Sequence, residues 1–291
     1  MTTTTGAAHQ APPGAVPRPD EPASDVAHVE HVMGTAVSLH LRVRSGTRAA
    51  RSGTRAARSG TSKEPSGLAG HVLELACAEL HRADALFSTW KAESPMSRIR
   101  RGSLPPATAP GEIRQVLDLC AEVRELTCGW FDPWAMPGGV DPTGLVKGWA
   151  VERALDSIRA HGVVAACVNA GGDLAVFGRP GSGERWRMGI RHPWRADALA
   201  CVVFVESALA TSGTYERGPH LFDPRARRPS ARAASASVVG PSLAIADALA
   251  TALCVGGDDV LDRLAEIPGY EGYLVRTDGT EAWTEAMPFA S

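Results

Sequence analysis

The sequence predicts an α+β protein built on a largely antiparallel sheet core with packed helices. A chain of 291 residues with 44% hydrophobic and 21% charged residues can bury a sizeable core and does not have a disordered composition. Short apolar runs separated by Gly or Pro turns follow one another through the middle of the chain, a spacing typical of antiparallel neighbours. Helical periodicity is grouped toward both ends of the sequence, which argues against a doubly wound parallel sheet.

Charge and hydropathy exclude several function classes. The 30 Lys and Arg residues are balanced by 32 Asp and Glu residues, so the chain lacks the basic excess of nucleic-acid-binding proteins. It has no apolar run of about 18 residues, as a transmembrane helix requires, and no secretory signal at its start. Its six cysteines are scattered without a CxxC pair, as in proteins that keep buried thiols. We therefore expect a cytoplasmic protein without nucleic-acid or membrane partners.

The chain is expected to form one domain preceded by a tail. Residues 1–26 are polar, proline-rich and aperiodic, which predicts a disordered N-terminal tail. The single domain is expected to span residues 27–291, and it opens with a strand-like run over 28–43. The heptapeptide Arg-Ser-Gly-Thr-Arg-Ala-Ala is then repeated within 44–67 without an apolar seam. This low-complexity stretch is interpreted as a solvated loop insertion and not as a coiled coil.

The periodicity of apolar residues predicts where the remaining helices and strands lie. Helices are predicted over 68–87, around the stripe Ile113, Val116, Cys120 and Val123, and over 148–160, 243–255 and 259–265. Short strands are predicted at 163–168, 174–177, 186–190, 199–205 and 235–239. A closing hairpin is predicted to join 272–276 to 281–284 through Asp278-Gly279.

Two segments carry groups suited to an anion and to a metal ion. The run from Asp141 to Gly148 contains Lys147 and leads into a predicted helix, whose N-terminal amides favour an anion. A capped helix with a solvated lysine is the alternative. Asp247 and Thr251 lie four residues apart on one helical face and offer hard oxygen ligands for Mg²⁺ or Ca²⁺. Alternatively, the aspartate favours the helix dipole and the threonine bonds back to a carbonyl.

Two further segments carry weaker signals for a functional site. Asn169-Ala-Gly-Gly-Asp173 lacks the GxGxxG pattern of a dinucleotide site and is interpreted as a tight turn that supports a nearby site. Residues 209–217 and 220–224 are interpreted as one polar turn region between strands. Within it, His220 precedes Asp223 by three residues and belongs to the residue type that titrates near neutral pH, so it is a candidate acid or base. A structural histidine is the alternative.

Eight motifs occur in series between residues 29 and 257. They are Met33-Gly-Thr35; Asp84-Ala-Leu-Phe-Ser-Thr-Trp90 with Ser94-Pro-Met-Ser-Arg-Ile; Gly129-Trp-Phe-Asp132-Pro; Asp141-Pro-Thr-Gly-Leu-Val-Lys-Gly-Trp-Ala150; Val168-Asn-Ala-Gly-Gly-Asp173; Ala210-Thr-Ser-Gly-Thr-Tyr-Glu-Arg217; His220-Leu-Phe-Asp-Pro224; and Ala246-Asp-Ala-Leu-Ala-Thr-Ala252. In this order, the chain resembles the ApbE family, the FAD:protein FMN transferases.

The resemblance implies a fold, a reaction and a site. The fold would be the ApbE-like, T-fold-related architecture. The reaction would transfer the FMN moiety of FAD to a Thr or Ser hydroxyl of a target flavoprotein and release AMP. Mg²⁺ would be held by Asp247, Thr251 and the backbone carbonyl of Gly144, and His220 would be the candidate base for the attacking hydroxyl. FAD contacts would come from Met33, Trp90, Trp130, Phe131, Asp132, Asp141, Lys147 and Phe222.

The motifs depart from the family pattern at three points. Trp90 replaces the usual Tyr, Pro142-Thr143 replaces Leu-Gly, and only eight residues separate Asp132 from Asp141, where most members carry a longer insert. Two other functions remain open: a Mg²⁺-dependent FAD pyrophosphatase and a non-catalytic flavin-binding protein. The presence of both predicted metal-ligating side chains on one helix argues against a pure binder.

Overall fold

The computed structural model describes residues 23–44, 67–181, 183–214 and 221–290. In these ranges the chain combines helices with antiparallel sheet, which confirms the predicted α+β class. The helices are α1 (Leu68–Phe87), α2 (Pro95–Arg100), α3 (Gly111–Leu126), α4 (Thr143–Arg159), α5 (Leu243–Gly256) and α6 (Asp258–Leu264). The strands are β1 (Ala23–Val32), β2 (Thr35–Arg44), β3 (Ala165–Ala170), β4 (Asp173–Phe177), β5 (Trp186–Arg191), β6 (Leu199–Val205), β7 (Ala208–Gly213), β8 (Phe222–Asp223), β9 (Arg228–Pro229), β10 (Ala233–Gly240), β11 (Glu271–Arg276) and β12 (Glu281–Trp283).

Eight strands form one antiparallel sheet in the order β1-β2-β3-β4-β7-β10-β11-β12. Side chains alternate between its faces, so the sheet contributes to two cores. On one face Leu39, Val168 and Val238 belong to the core that also contains the inner faces of α1, α4 and α5. On the other face Val176 and Tyr273 pack with the hairpin of β5 and β6. Strand β10 is buried along almost its whole length because both faces of the sheet are covered at its centre.

The predicted strand at 28–43 is a hairpin. It consists of β1 and β2, which are joined by a two-residue turn at Met33 and Gly34. Both turn residues have positive φ, 53° and 71°, as a type I′ turn requires. A methionine occupies a position that usually takes Asn, Asp or Gly, which is why the sequence pattern does not reveal the turn. Strand β1 begins at Ala23, so residues 23–26 of the predicted tail belong to the sheet.

Helix α4 begins earlier than the sequence predicts. The expected start was near residue 148, whereas the helix begins at Thr143 and includes Lys147 in its second turn. A proline and a glycine in this segment favour a turn by propensity. Leu145 and Val146 are buried, however, and extend the apolar face of the helix toward its N-terminus.

The other element predictions are mostly confirmed. Helix α1, helix α3 and the closing hairpin of β11 and β12 lie where the periodicity predicts them. The sequence indicates a polar turn region from residue 209 onward, whereas Ala208–Gly213 forms β7 in the middle of the sheet. Most of the predicted tail, most of the repeat and His220 lie outside the described residues.

The six cysteines are free, and they differ in burial. Cys120, Cys167 and Cys254 are buried and free, and burial raises the pKa of each to about 12. Cys128 is exposed, contrary to the expectation of uniformly buried thiols. Among the described residues, no helix has both the length and the apolar character that a bilayer span requires.

Candidate active site

Two buried carboxylates meet where α4 and α5 lie against β4 and β7. Asp173, at the start of β4, is 0% exposed, and Asp247 on α5 is 4% exposed. The Lys147 ammonium lies against Oδ2 of Asp173, and the Thr211 amide donates to Oδ1 of the same carboxylate at 2.8 Å. We call these four residues, together with Thr251, the carboxylate cluster. It holds two acidic groups and one ammonium in a region largely closed to water.

Helices α4 and α5 lie close together at this cluster because α4 carries glycine at the contact. A Cβ at Gly148 would lie 2.4 Å from the carbonyl oxygen of Leu243. One turn earlier, a Cβ at Gly144 would lie 3.5 Å from Oγ1 of Thr251. Backbone groups of α4 therefore reach the polar side chains of α5 directly, which a larger residue at position 148 would prevent.

This close approach fixes the Asp247 side chain. The amide of Gly148 donates to Oδ2 of Asp247 at 3.1 Å. In a regular helix that amide donates to the carbonyl of Gly144, so Asp247 competes for its proton and the carbonyl keeps acceptor capacity. Burial, and then the negative charge of Asp173, raises the pKa of Asp247 well above its usual value, while Lys147 opposes the shift.

The donor atoms of the cluster fit Mg²⁺. A carboxylate on Asp247, a hydroxyl on Thr251 and the carbonyl of Gly144 are hard oxygen ligands of the kind that Mg²⁺ prefers. Oγ1 of Thr251 lies 3.2 Å from the Ser212 hydroxyl, which restricts its orientation. Two like charges buried beside one ammonium also favour a further positive charge. The structure brings the three predicted ligand residues together, and their binding of Mg²⁺ stays a prediction.

A cavity lies between the sheet and the β5–β6 hairpin, and Thr211 is the residue that it shares with the cluster. It has a volume of about 330 Å³, and its wall includes Asn169, Gly171, Gly172 and Thr211. The two glycines have φ of 63° and 102°, and the amide of Gly172 donates to Oδ1 of Asn169 at 2.9 Å. The predicted tight turn therefore forms part of a cavity wall and ends at Asp173, which belongs to the carboxylate cluster. Cavities of this size accommodate small-molecule groups.

Two neighbouring aromatic residues predicted to contact FAD have different surroundings. The ring of Phe131 would lie 3.2 Å from a Cβ at Gly144, so it packs beside the carboxylate cluster. Trp130 is 4% exposed, and its ring contacts the guanidinium groups of Arg225 and Arg232, at 3.9 Å and 4.7 Å from the ring centroid. Both rings are almost fully buried: protein groups surround Trp130, and Phe131, which is 5% exposed, packs beside Gly144.

The two predicted acids outside the cluster have arginine partners. Asp132 accepts from Nε of Arg124 at 2.8 Å, and Asp141 lies 3.0 Å from a guanidinium nitrogen of Arg100. Asp141 also accepts from the Thr143 amide at 3.1 Å, at the start of α4. Arg100 donates further to the carbonyls of the loop before Asp141. The short connection between the two aspartates is thus held at both ends.

The other predicted site residues lie on separate segments. Met33 is half-buried at the tip of the β1–β2 turn, Trp90 is 95% exposed after α1, and Phe222 is half-buried in β8. Within the part of the chain that the structure describes, no hydrogen bond or ion pair links these three to the carboxylate cluster. Their contacts with FAD stay predictions, as does the role of His220, which lies outside the described residues.

Sequence reasoning missed three polar groups of the site. The sequence pattern predicts a supporting turn at Asp173 and a polar turn region at Thr211 and Ser212, whereas Asp173 and Thr211 belong to the cluster and Ser212 contacts Thr251. The available signal was the acid directly after two glycines. Its pairing with Lys147 depends on the packing of α4 against β4, which local patterns do not specify.

The fold and the cluster define a class: an antiparallel α+β protein with an oxygen-rich site between two helices and the sheet. The model of the ApbE family matches residues 33–138 and 135–274, which together cover most of the chain. The chain belongs to the ApbE family.

Relatives and solved structures agree with this assignment. The chain is 37% identical over 148 residues to a FAD:protein FMN transferase of Rhodobacter capsulatus, in an alignment that covers 48% of this chain and 28% of the relative. It is 33% identical over 132 residues to the protein of that name from Vibrio cholerae serotype O1, covering 41% of this chain and 39% of the relative. Both alignments thus span less than half of the relative.

Two solved structures share the fold. The flavin transferase ApbE from Vibrio cholerae superposes with a TM-score of 0.75 at 19% identity, covering 91% of this chain and 98% of that one. The apo form of the Pseudomonas stutzeri flavinyl transferase ApbE gives a TM-score of 0.71 at 24% identity, with 91% and 95% covered. The similarity at these identities concerns the fold.

Proposed function

We propose that this protein transfers the FMN moiety of FAD to a Thr or Ser hydroxyl of a partner flavoprotein and releases AMP. A bond forms between the acceptor oxygen and the phosphorus of the FMN phosphate. The pyrophosphate bond to AMP breaks, and the hydroxyl proton passes to a base. The name shared by the relatives supports the reaction class, and the family pattern supports the acceptor hydroxyl.

The observation that carries this proposal is the pairing of Asp247 and Thr251 with Lys147 and Asp173 in one buried cluster. Transfer from a pyrophosphate is catalysed mainly by positioning and by neutralising the charge on phosphate oxygens. A cluster that combines an oxygen-donor metal site with an ammonium is suited to both tasks. Mg²⁺ held by Asp247, Thr251 and the Gly144 carbonyl would supply charge neutralisation at the pyrophosphate.

The protein's own residues position the reactants. Lys147 would bind a phosphate oxygen, and its buried partner Asp173 would keep the ammonium oriented toward the site. The Gly148 amide fixes the Asp247 carboxylate. The proton of the acceptor hydroxyl would pass to His220, which we propose as the base from its position in the family motif.

The flavin contacts are proposed on two grounds. Trp90 presents an exposed indole, whose faces can stack on a flavin or adenine ring. Phe131 packs beside Gly144 and would contact the substrate close to the metal. Met33, Trp130, Asp132, Asp141 and Phe222 are proposed as further FAD contacts from the family motifs. We also propose a cytoplasmic location, and fractionation of cells would test it.

One assay separates the proposed reaction from its alternatives. The protein is incubated with FAD and Mg²⁺, with and without a flavoprotein that carries an acceptor threonine, and AMP is quantified. Release of AMP only with acceptor supports transfer, release without acceptor indicates a pyrophosphatase, and no release in either case contradicts both enzymatic functions. Asp156→Asn is the matched control for variants of Asp247, because Asp156 is exposed on α4 and paired with Arg159.

A further inference from the structure

A second group of metal-ligating side chains lies at the opposite edge of the sheet from β12, between β1 and α1. Donor atoms of His28, Glu30 and Cys77 all lie within 4.8 Å of one another. Nε2 of His28 lies 3.3 Å from one carboxylate oxygen of Glu30, and Nε2 of His81 lies 3.0 Å from the other. We call these four residues the histidine–thiol cluster. They play no part in the proposed flavin reaction.

The positions of the four residues follow from two regular spacings. His28 and Glu30 are two residues apart on β1, so both point to the same side of the strand. Cys77 and His81 are four residues apart on α1, so both lie on one helical face. Helix α1 packs against β1, so Cys77 and His81 face the side of the strand that carries His28 and Glu30. Donor atoms of His28, Glu30 and Cys77 therefore lie close enough to share one ion, and His81 contacts this group through Glu30.

The donor set indicates the class of metal. Two imidazoles, one thiol and one carboxylate are the ligands of Zn²⁺, whereas Mg²⁺ prefers oxygen alone. The side chains of His28, Glu30 and His81 are 37%, 26% and 55% exposed, so an ion can enter from solvent. With His81 as the fourth ligand, the site would have no open position for substrate, which is the arrangement of structural zinc sites.

We propose that His28, Glu30, Cys77 and His81 form a structural Zn²⁺ site that fastens the edge strand β1 to helix α1. Binding forms a bond between Zn²⁺ and the Cys77 sulfur and releases the thiol proton to solvent. An edge strand fastened in this way is also less available for pairing with another chain.

The test uses the full chain, freed of metal with a chelator and then titrated with Zn²⁺ against a competing chelator. We expect one Zn²⁺ per chain in the wild type and an affinity at least about tenfold lower in Cys77→Ser and in His81→Gln. Cys128→Ser is the matched control, because Cys128 is exposed and outside the cluster. Wild-type affinity in both cluster variants would overturn the proposal, as would no zinc uptake by the wild type.

Co²⁺ provides a second measurement that does not depend on affinity. A cobalt ion bound through a thiolate gives a charge-transfer band in the near ultraviolet, and we expect this band in the wild type, in Cys128→Ser and in His81→Gln, but not in Cys77→Ser. A cobalt complex without the band in the wild type contradicts the proposed ligand set. Asp247→Asn should retain both zinc uptake and the cobalt band, which keeps this proposal separate from the flavin reaction.

Discussion

The protein gathers metal-ligating side chains in two places, and the two groups differ in burial and in donor type. The carboxylate cluster is buried, contains only oxygen donors beside one ammonium, and shows a raised pKa at Asp247. The histidine–thiol cluster is half-exposed, mixes nitrogen, sulfur and oxygen, and shows a lowered pKa at Glu30 because His28 and His81 donate to it. Carboxylates thus take part in two different kinds of site, because burial and partners set the charge and donor type selects the metal.

The largest expected effect is a loss of Mg²⁺-dependent activity that leaves Zn²⁺ binding at the other cluster unchanged. Asp247→Asn keeps the shape of the side chain but removes the charged ligand, so we expect Mg²⁺-dependent AMP release to fall by at least about 100-fold. Circular dichroism should remain unchanged, because the side-chain carboxamide oxygen of the variant can still accept from the Gly148 backbone N–H. Zn²⁺ uptake should also be unaffected. Loss of zinc uptake in this variant would show that the two clusters are not independent.

The next effect concerns the close approach of α4 and α5. Gly148→Ala places a Cβ 2.4 Å from the Leu243 carbonyl oxygen, so we expect the free energy of unfolding to fall by about 3 kcal/mol. Gly111→Ala is the matched control, since the Cβ there meets no atom within 4 Å. Urea unfolding of both variants measures the difference. Equal stabilities would mean that the helices separate without cost and that the cluster is not held by their contact.

A smaller effect is expected at Lys147. Lys147→Met leaves the Asp173 carboxylate buried without its ammonium, which destabilises the fold. We expect a loss of about 1–2 kcal/mol, reduced from the value for a fully buried pair because the lysine side chain is 30% exposed. The KM for FAD should rise in the same variant. A variant of wild-type stability and KM would contradict the assignment of Lys147 to the site.

The smallest effects are pH slopes of opposite sign. Burial raises the pKa of Glu152, which accepts from the Leu243 amide, so the folded protein binds this proton more readily than the unfolded chain. Its contribution to stability therefore decreases as pH rises above about 4, and Glu152→Gln should remove that slope. The pKa of Glu30 is lowered, so its contribution is present at neutral pH and is lost as pH falls. Thermal unfolding of Glu152→Gln and Glu30→Gln between acid and neutral pH tests both signs.

The sequence predicted most of the helices and the residues that lie together along one helix, but not the β1–β2 turn or strand β7. The pair Asp247 and Thr251 was predicted because a helix brings residues four apart onto one face. Asp173 was not, because its contact with Lys147 depends on strand order and on the packing of α4, which are non-local. The histidine–thiol cluster was missed for the same reason: its two pairs lie on elements separated by β2 and the repeat.

We propose that the carboxylate cluster binds Mg²⁺ and directs FMN transfer to a protein hydroxyl. The most direct test is mass spectrometry of a purified acceptor flavoprotein after incubation with the protein, FAD and Mg²⁺. We expect FMN joined through its phosphate to one Thr or Ser, with one AMP released for each FMN attached. The modification should disappear without Mg²⁺ or with Asp247→Asn, and persist with Asp156→Asn. An acceptor that stays unmodified while FMN and AMP accumulate, or one modified equally by Asp247→Asn, would contradict the claim.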